Sequence, residues 1–283
     1  MPMQGPVYSH IRIVLLLIAT LVAPGCKKRP SAQAAMGVAV TNTYLQCAVA
    51  DVTGDASDVL CLAPPGMCPG HFDLSPGQVQ QLTECRLLMR ADFQHRIEDS
   101  LIRMKEKGLK VVSIHIADGM CIPANYLQSC REVHRALQER YGSSGDDVYK
   151  ERFLSLQKRL GKLSGHIKSS VDDAGLRATR VVCSGHQAEF ARWLGLDVVA
   201  AFVGSDVETA ANLQDVLEKA REKNVGFVIA NRQEGSALAE ALAERLNARV
   251  VVFSNFPDVQ PGRNNFDTLV MENLNALLEA GRR

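Results

Sequence analysis

Two short segments of this chain carry the side chains best suited to chemistry. Residues 64–76 set Cys68 and His71 in a proline-stiffened loop, and the Gly66-Met67-Cys68 triplet returns as Gly119-Met120-Cys121. Each triplet follows an apolar strand-like run, and each precedes a proline and a helix-like stretch. Thiolate and imidazole are metal donors, and a thiolate pair favours zinc or copper(I). Met67 and Met120 would add thioethers suited to copper(I). Cys68 and Cys121 have two further readings, a disulfide tying the two loops or a pair of small buried apolar residues. The same donor types at two strand ends point to one shared site.

Other polar residues stand near strand ends as well. Asp118 lies between Ala117 and Gly119, where α/β sheets place ligand contacts, although an Asp-Gly pair also makes an ordinary turn. Ser184 with Gln187 reads as a capping box, which puts His186 in the first turn of a helix. The positive end of the helix dipole there favours the neutral, metal-binding imidazole. Ser75, Pro76 and Gln78 form a second capping-box pattern just after His71. His115 is expected inside a strand as a satisfied interior histidine, Cys183 is expected to be buried, and His95, His134 and His166 are expected on helix surfaces.

The elements that must position these groups follow an α/β rhythm. Strands are expected at 38–41, 59–62, 87–89 and 111–116, with helices at 45–52, 76–85, 93–107 and 124–141. Residues 146–173 place apolar side chains at Val148, Phe153, Leu156, Leu160, Leu163 and Ile167, the 3.6-residue spacing of one long helix with a single buried stripe. Gly175 supplies its stop signal. Strands then resume at 180–183, 198–203, 227–229 and 250–253, with helices at 187–194, 210–223, 237–246 and 266–280. Helical crossovers of this length imply parallel pairing. The expectation is α/β with two lobes, each a parallel sheet flanked by helices, joined by the long helix. No internal repeat and no low-complexity tract stands out.

The N-terminus reads as targeting. Arg12 precedes the apolar run 13–22, which is short for a membrane span, and Ala23-Pro24-Gly25-Cys26 follows it. This is the pattern of a bacterial lipoprotein signal over 1–25, with lipidation of Cys26, a polar tether over 26–36, an N-terminal lobe over 37–145, a linking helix over 146–175 and a C-terminal lobe over 176–283. About 255 residues remain for the two lobes, enough for a core in each. Of the eight cysteines, removing Cys26 leaves seven, and an odd number cannot all pair internally.

Some functions are excluded or unsupported. A net charge of +1, with both signs interspersed and no basic block, gives no electrostatic footprint for nucleic acid. Catalysis has no recognisable signature, since there is no Gly-x-Ser-x-Gly elbow, no His-Glu-x-x-His helix, no phosphate-binding loop and no Cys-x-x-Cys pair.

The order of motifs resembles the solute-binding proteins of bacterial zinc and manganese ABC importers, the cluster 9 or cluster A-I family. The likeness rests on Pro65-Gly66, Pro69 and Pro76-Gly77-Gln78-Val79 around the first loop, and on Pro123-Ala124-Asn125 opening a helix. It continues through the long linking helix, Cys183-Ser184 to Phe190-Ala191, Gly195-Leu196, and Met271-Glu272-Asn273-Leu274 in the closing helix. The ligand positions depart from the family pattern. Its first histidine falls on Gly70, with His71 one residue late, its second near Asp118 and its third on Ser184, with His186 two residues late. Its fourth ligand, a carboxylate, falls near Ser254, with Asp258 the nearest substitute. The family's histidine-rich loop is absent.

The resemblance implies a monomeric, lipid-anchored binding protein at the periplasmic or outer face of the membrane. It would capture a transition metal ion, zinc or manganese with copper possible, between its lobes and pass it to the permease of an ABC importer. His71, Cys68 and Cys121, with Asp118, would face His186 and Asp258 across the cleft. Alternatives are a metal-chelate binder, an envelope thiol protein or cysteine-dependent enzyme on the same scaffold, and an adhesin-like component that contacts another protein.

Overall fold

The computed structural model describes residues 37–56, 58–63, 73–142, 146–204, 208–259 and 265–282. Cys26, Cys68 and His71 lie outside them, so the expectations for the signal, the lipid anchor and the first donor loop do too.

The first lobe runs β1 (Val38–Val40), α1 (Thr43–Thr53), β2 (Leu60–Cys61), α2 (Pro76–Leu82), β3 (Leu87–Ala91), a 3-10 segment (Asp92–Leu101), α3 (Ile102–Glu106), β4 (Lys110–Ile114) and α4 (Pro123–Tyr141). Its strands are all parallel, in the order β2-β1-β3-β4. After α5 (Asp146–Asp173), the second lobe runs β5 (Arg180–Ser184), α6 (Ala188–Trp193), β6 (Asp197–Phe202), α7 (Ala210–Arg221), β7 (Phe227–Asn231), α8 (Ala237–Leu246), β8 (Arg249–Phe253) and α9 (Asn265–Arg282). Its sheet is parallel in the order β6-β5-β7-β8. The two sheets thus share one strand order, a repeat of topology that leaves no repeat in the sequence. Central strands β1, β3 and β7 are buried along their whole length and are mostly apolar, with Arg90 in β3 and Asn231 at the end of β7 as buried polar exceptions.

The expected capping box at α2 forms: Gln78 N–H donates to Ser75 Oγ (3.3 Å) and Ser75 N–H to Gln78 Oε1 (2.9 Å). The helix expected over 93–107 forms only in part. Gln94 leaves helical geometry (φ −94°, ψ 32°), and its side-chain carbonyl accepts from Asn42 Nδ2 at 3.0 Å. Tying that side chain to the end of β1 holds the segment as 3-10 turns, and regular helix begins only at Ile102.

The long helix spans about 42 Å at 1.5 Å per residue. Leu156, Leu160, Leu163, Ile167 and Val171 form its buried stripe, whereas Val148, near its start, is 51% exposed. Gly175, at φ +65°, follows its last turn, where a residue with a Cβ would be strained. On the same helix, Arg159 grips Asp51 of α1 with two parallel hydrogen bonds (3.0 and 2.8 Å) and reaches Asp267 of α9 at 3.2 Å. Tyr126 of α4 donates to the same Asp51 carboxylate (2.7 Å). One continuous core runs beneath these groups, from Val38 and Ile114 in the first sheet to Val181 and Phe253 in the second, with α1, α4, α5 and α9 packed within it. Separate, smaller clusters cover the far face of each sheet. No described helix is long and apolar enough to cross a membrane.

Candidate metal site

The turn after β4 and the turn after β8 meet. Asp118 is exposed, and its backbone carbonyl accepts from Asn125 Nδ2 (2.7 Å), which pins the turn to the start of α4. Gly119 follows at φ +76°, and a Cβ there would lie 2.6 Å from Ile122 Cδ1 and 3.1 Å from Glu189 Cβ of the other lobe. Only glycine fits so close a junction. Cys121 is fully buried. Its thiol donates to the Ser254 carbonyl (3.2 Å) and accepts from Asn273 Nδ2 (3.4 Å), so it bridges the lobes through C-lobe partners. Burial pushes this thiol up to about 12, which keeps its proton on at neutral pH. Asn273 also holds Ser254 by both backbone groups, accepting from its N–H and donating to its carbonyl, each at 2.8 Å. The asparagine of the closing helix therefore fixes the end of β8.

Ser184 was expected to cap the next helix, and it does not. Its side chain makes no capping bond, and Oγ donates instead to Glu234 Oε2 (2.6 Å). The chain leaves β5 through a 3-10 turn at Gly185–Gln187, and this turn points His186 outward. His186 Nε2 lies 3.4 Å from Glu234 Oε1, with the imidazole 67% exposed and the carboxylate 15%. Gly204, just past β6, lies beside that carboxylate, since a Cβ there would stand 2.8 Å from Oε1. A neutral network backs the pair. Gln187 donates to Asn231 Oδ1 (3.2 Å), Asn255 N–H to Gln233 Oε1 (3.2 Å), and Gln233 Nε2 to Ser254 Oγ (3.0 Å). Asp258 is more remote in its bonding, 3.9 Å from Arg232 with both side chains more than half exposed.

His115 differs from the expectation of a satisfied interior residue. It lies one residue beyond β4 and is 67% exposed, with Nδ1 2.6 Å from Asp92 Oδ2. That hydrogen bond raises its pKa above the ordinary histidine value. Cys183 is buried as expected, and burial pushes it up to about 12. The described cysteines Cys47, Cys61, Cys85, Cys121, Cys130 and Cys183 are all free thiols.

Among the described residues no three His, Cys, Asp or Glu side chains converge as a metal cage. What the structure does bring together is the His186 and Glu234 pair on one side and the Cys121, Ser254 and Asn273 junction on the other. Glu234 was not singled out from the sequence. The available signal was its place, at the end of a polar run directly after a strand and just before Gly235.

Two parallel sheets whose carboxyl edges meet across a shared linking helix have the architecture of a two-lobed solute-binding protein. Residues 38–280 match the family model described as zinc-uptake complex component A, periplasmic, and the chain belongs to that family. It is thus a metal-binding solute-binding protein of the ABC import class, not an enzyme. Solved structures agree on the fold. A ZnuA crystal structure shares 18% identity at a TM-score of 0.68, covering 86% of this chain and 98% of that one. The manganese complex of the solute-binding protein FpvC from Pseudomonas aeruginosa shares 15% identity at 0.70, covering 87% and 98%. The cadmium-bound periplasmic metal-binding protein of Candidatus Liberibacter asiaticus shares 12% at 0.70, covering 86% and 98%. No curated protein matches the chain in sequence.

Proposed function

We propose that this protein captures a first-row divalent metal ion, zinc or manganese, between its lobes and delivers it to the permease of an ABC importer, while a lipid on Cys26 keeps it at the outer face of the membrane. The observation that carries this reading is the family match over nearly the whole described chain, 38–280. Relatives in that fold include proteins solved with cadmium and with manganese. The protein acts as a monomer, as a carrier that must present one cleft to one permease.

The donors assigned to the cargo are His71 from the first lobe and His186 from the second, with Asp118 and Asp258 at the mouth. Imidazole and carboxylate together suit zinc and manganese. Cys68, three residues before His71 in the sequence, would add a soft donor. Cys121 is held by its bonds to Ser254 and Asn273 and joins a donor set only by giving up its proton. The reading as a thiol redox protein finds no support in these groups, because burial raises Cys47, Cys61, Cys121 and Cys183 alike and leaves them weak nucleophiles.

The test is metal content. The chain from Lys27 onward, purified without oxygen or chelator and measured by inductively coupled plasma mass spectrometry, is expected to carry close to one zinc or manganese per chain. His71→Ala and His186→Ala are each expected to weaken binding and to leave the melting temperature of the metal-free protein nearly unchanged. A folded protein that takes up neither ion would overturn the proposal.

A further inference from the structure

We infer that Glu234 is a direct ligand of the cargo ion and forms, with His186, the C-lobe half of the binding site. The inference rests on the metal-capture reading above and adds to it a residue outside the assigned donor set. Three independent features of the structure carry it.

The first is position. In the C-terminal sheet the chain leaves β5 toward β6 on one side and returns to β7 on the other, so the carboxyl ends of β5 and β7 flank the switch point of the sheet. Adjacent loops diverge there and leave a crevice, the place where open α/β sheets bind ligands. His186 follows β5 and Glu234 follows β7. The corresponding point of the first sheet, between β1 and β3, is closed by the neutral contacts of Asn42 and Gln94 and holds no carboxylate in those bonds.

The second is spacing. A charge-assisted nitrogen-to-carboxylate hydrogen bond closes to about 2.8 Å, yet His186 Nε2 and Glu234 Oε1 stand 3.4 Å apart. Two donors each about 2.1 Å from one tetrahedral zinc ion are separated by about 3.4 Å. The pair is therefore spaced as one edge of a zinc coordination shell.

The third is preparation of the carboxylate. Glu234 is 15% exposed, and its Oε2 is occupied by the buried Ser184 hydroxyl, which fixes the rotation of the group and leaves Oε1 as the donor oxygen. A hydrogen bond of this kind orients a ligand for its metal. Gly204 beside Oε1 keeps a side chain from crowding the carboxylate, since a Cβ there would sit 2.8 Å from it. The pair supplies two donors, and the remaining positions of the ion go to water or to groups from the facing lobe.

The experiment titrates the metal-free protein with zinc ion alone against a competing chelator. For Glu234→Gln the expected result is a loss of zinc affinity of at least about 100-fold, the upper end of what losing a group that merely orients a ligand costs, with unchanged secondary structure and melting temperature. Glu234→Asp, which keeps the charge and shortens its reach, is expected to lose about 10-fold. In Glu234→Cys, addition of cadmium is expected to raise a thiolate-to-cadmium charge-transfer absorption above that of the parent protein, which reports contact with the ion whatever the stability of the variant. Unchanged zinc affinity in Glu234→Gln, or no added absorption in a folded Glu234→Cys protein that still binds cadmium, overturns the inference and leaves metal capture standing. Failure of the parent protein itself to bind zinc or manganese defeats both.

Discussion

Tyr126 and Phe266 lie face to face, their ring centroids 3.8 Å apart and their planes 4° from parallel. The stack joins α4 of the first lobe to α9, which follows the second. Tyr44 packs edge-on against both rings, and the Tyr126 hydroxyl reaches the Asp51 carboxylate that Arg159 grips. Aromatic packing and a forked ion pair thus act at one point, where α1, α4, α5 and α9 meet.

Arg159→Met is expected to lower the stability of the metal-free protein by about 2 to 4 kcal/mol, because it leaves Asp51 and Asp267 half-buried without their counter-charge. Arg159→Lys is expected to recover only part of this, since an ammonium cannot make the two-pronged contact with Asp51 while also reaching Asp267. Urea melts of the three proteins measure it. Equal midpoints would show that the ion pair adds nothing to the aromatic stack.

Stability is expected to fall as pH rises above about 9. The sign follows from the buried thiols: Cys121 and Cys183 ionise near 9 in the unfolded chain and only at about 12 in the folded one, so above 9 the unfolded state alone sheds protons. Cys121→Ala is expected to flatten the slope of melting temperature against pH between 9 and 11, at the expense of a lower plateau at neutral pH. A slope identical to the parent's would mean that Cys121 is more open to solvent than its burial indicates.

His115 is expected to titrate above the usual histidine value, since its ring is hydrogen-bonded to Asp92. Its contribution to stability is then fully present below about 6.5 and is lost as pH rises through the folded value. Histidine proton resonances followed against pH measure the titration, and Asp92→Asn should return His115 to the ordinary range. Because the ring is exposed, the effect on overall stability is small.

Gly119→Ala is expected to destabilise the protein by about 1 to 3 kcal/mol, through a strained positive φ and a Cβ driven against Ile122 and Glu189. Since Glu189 belongs to the opposite lobe, the same change should raise small-angle scattering dimensions by parting the lobes. A change in melting temperature with unaltered dimensions would confine the strain to the turn itself.

The architecture was readable in the sequence wherever neighbouring residues alone decided it. Apolar runs marked β1, β3 and β7, the 3.6-residue stripe marked α5, and Ser75 with Gln78 marked the start of α2. Readings failed where a side chain's partner came from far along the chain. Gln94 turns to Asn42, more than fifty residues earlier, and breaks the expected helix; Ser184 turns to Glu234, fifty residues later, and leaves its helix uncapped. Before such a partner is known, local propensity is the best guide, and it pointed elsewhere. Glu234 escaped notice for the same reason, because a glutamate after a strand gains its meaning only when β5 and β7 are known to be neighbours.

The placing of α9 bears on how the two lobes depend on each other. Phe266 and Leu269 belong to the same core as Tyr44, Val49 and Tyr126 of the first lobe, so the first lobe is completed by a helix that lies beyond the second in the chain. A first lobe without α9 exposes the apolar surface that α9 covers. The shared core therefore couples the two lobes, since parting them would strip α9 from the first.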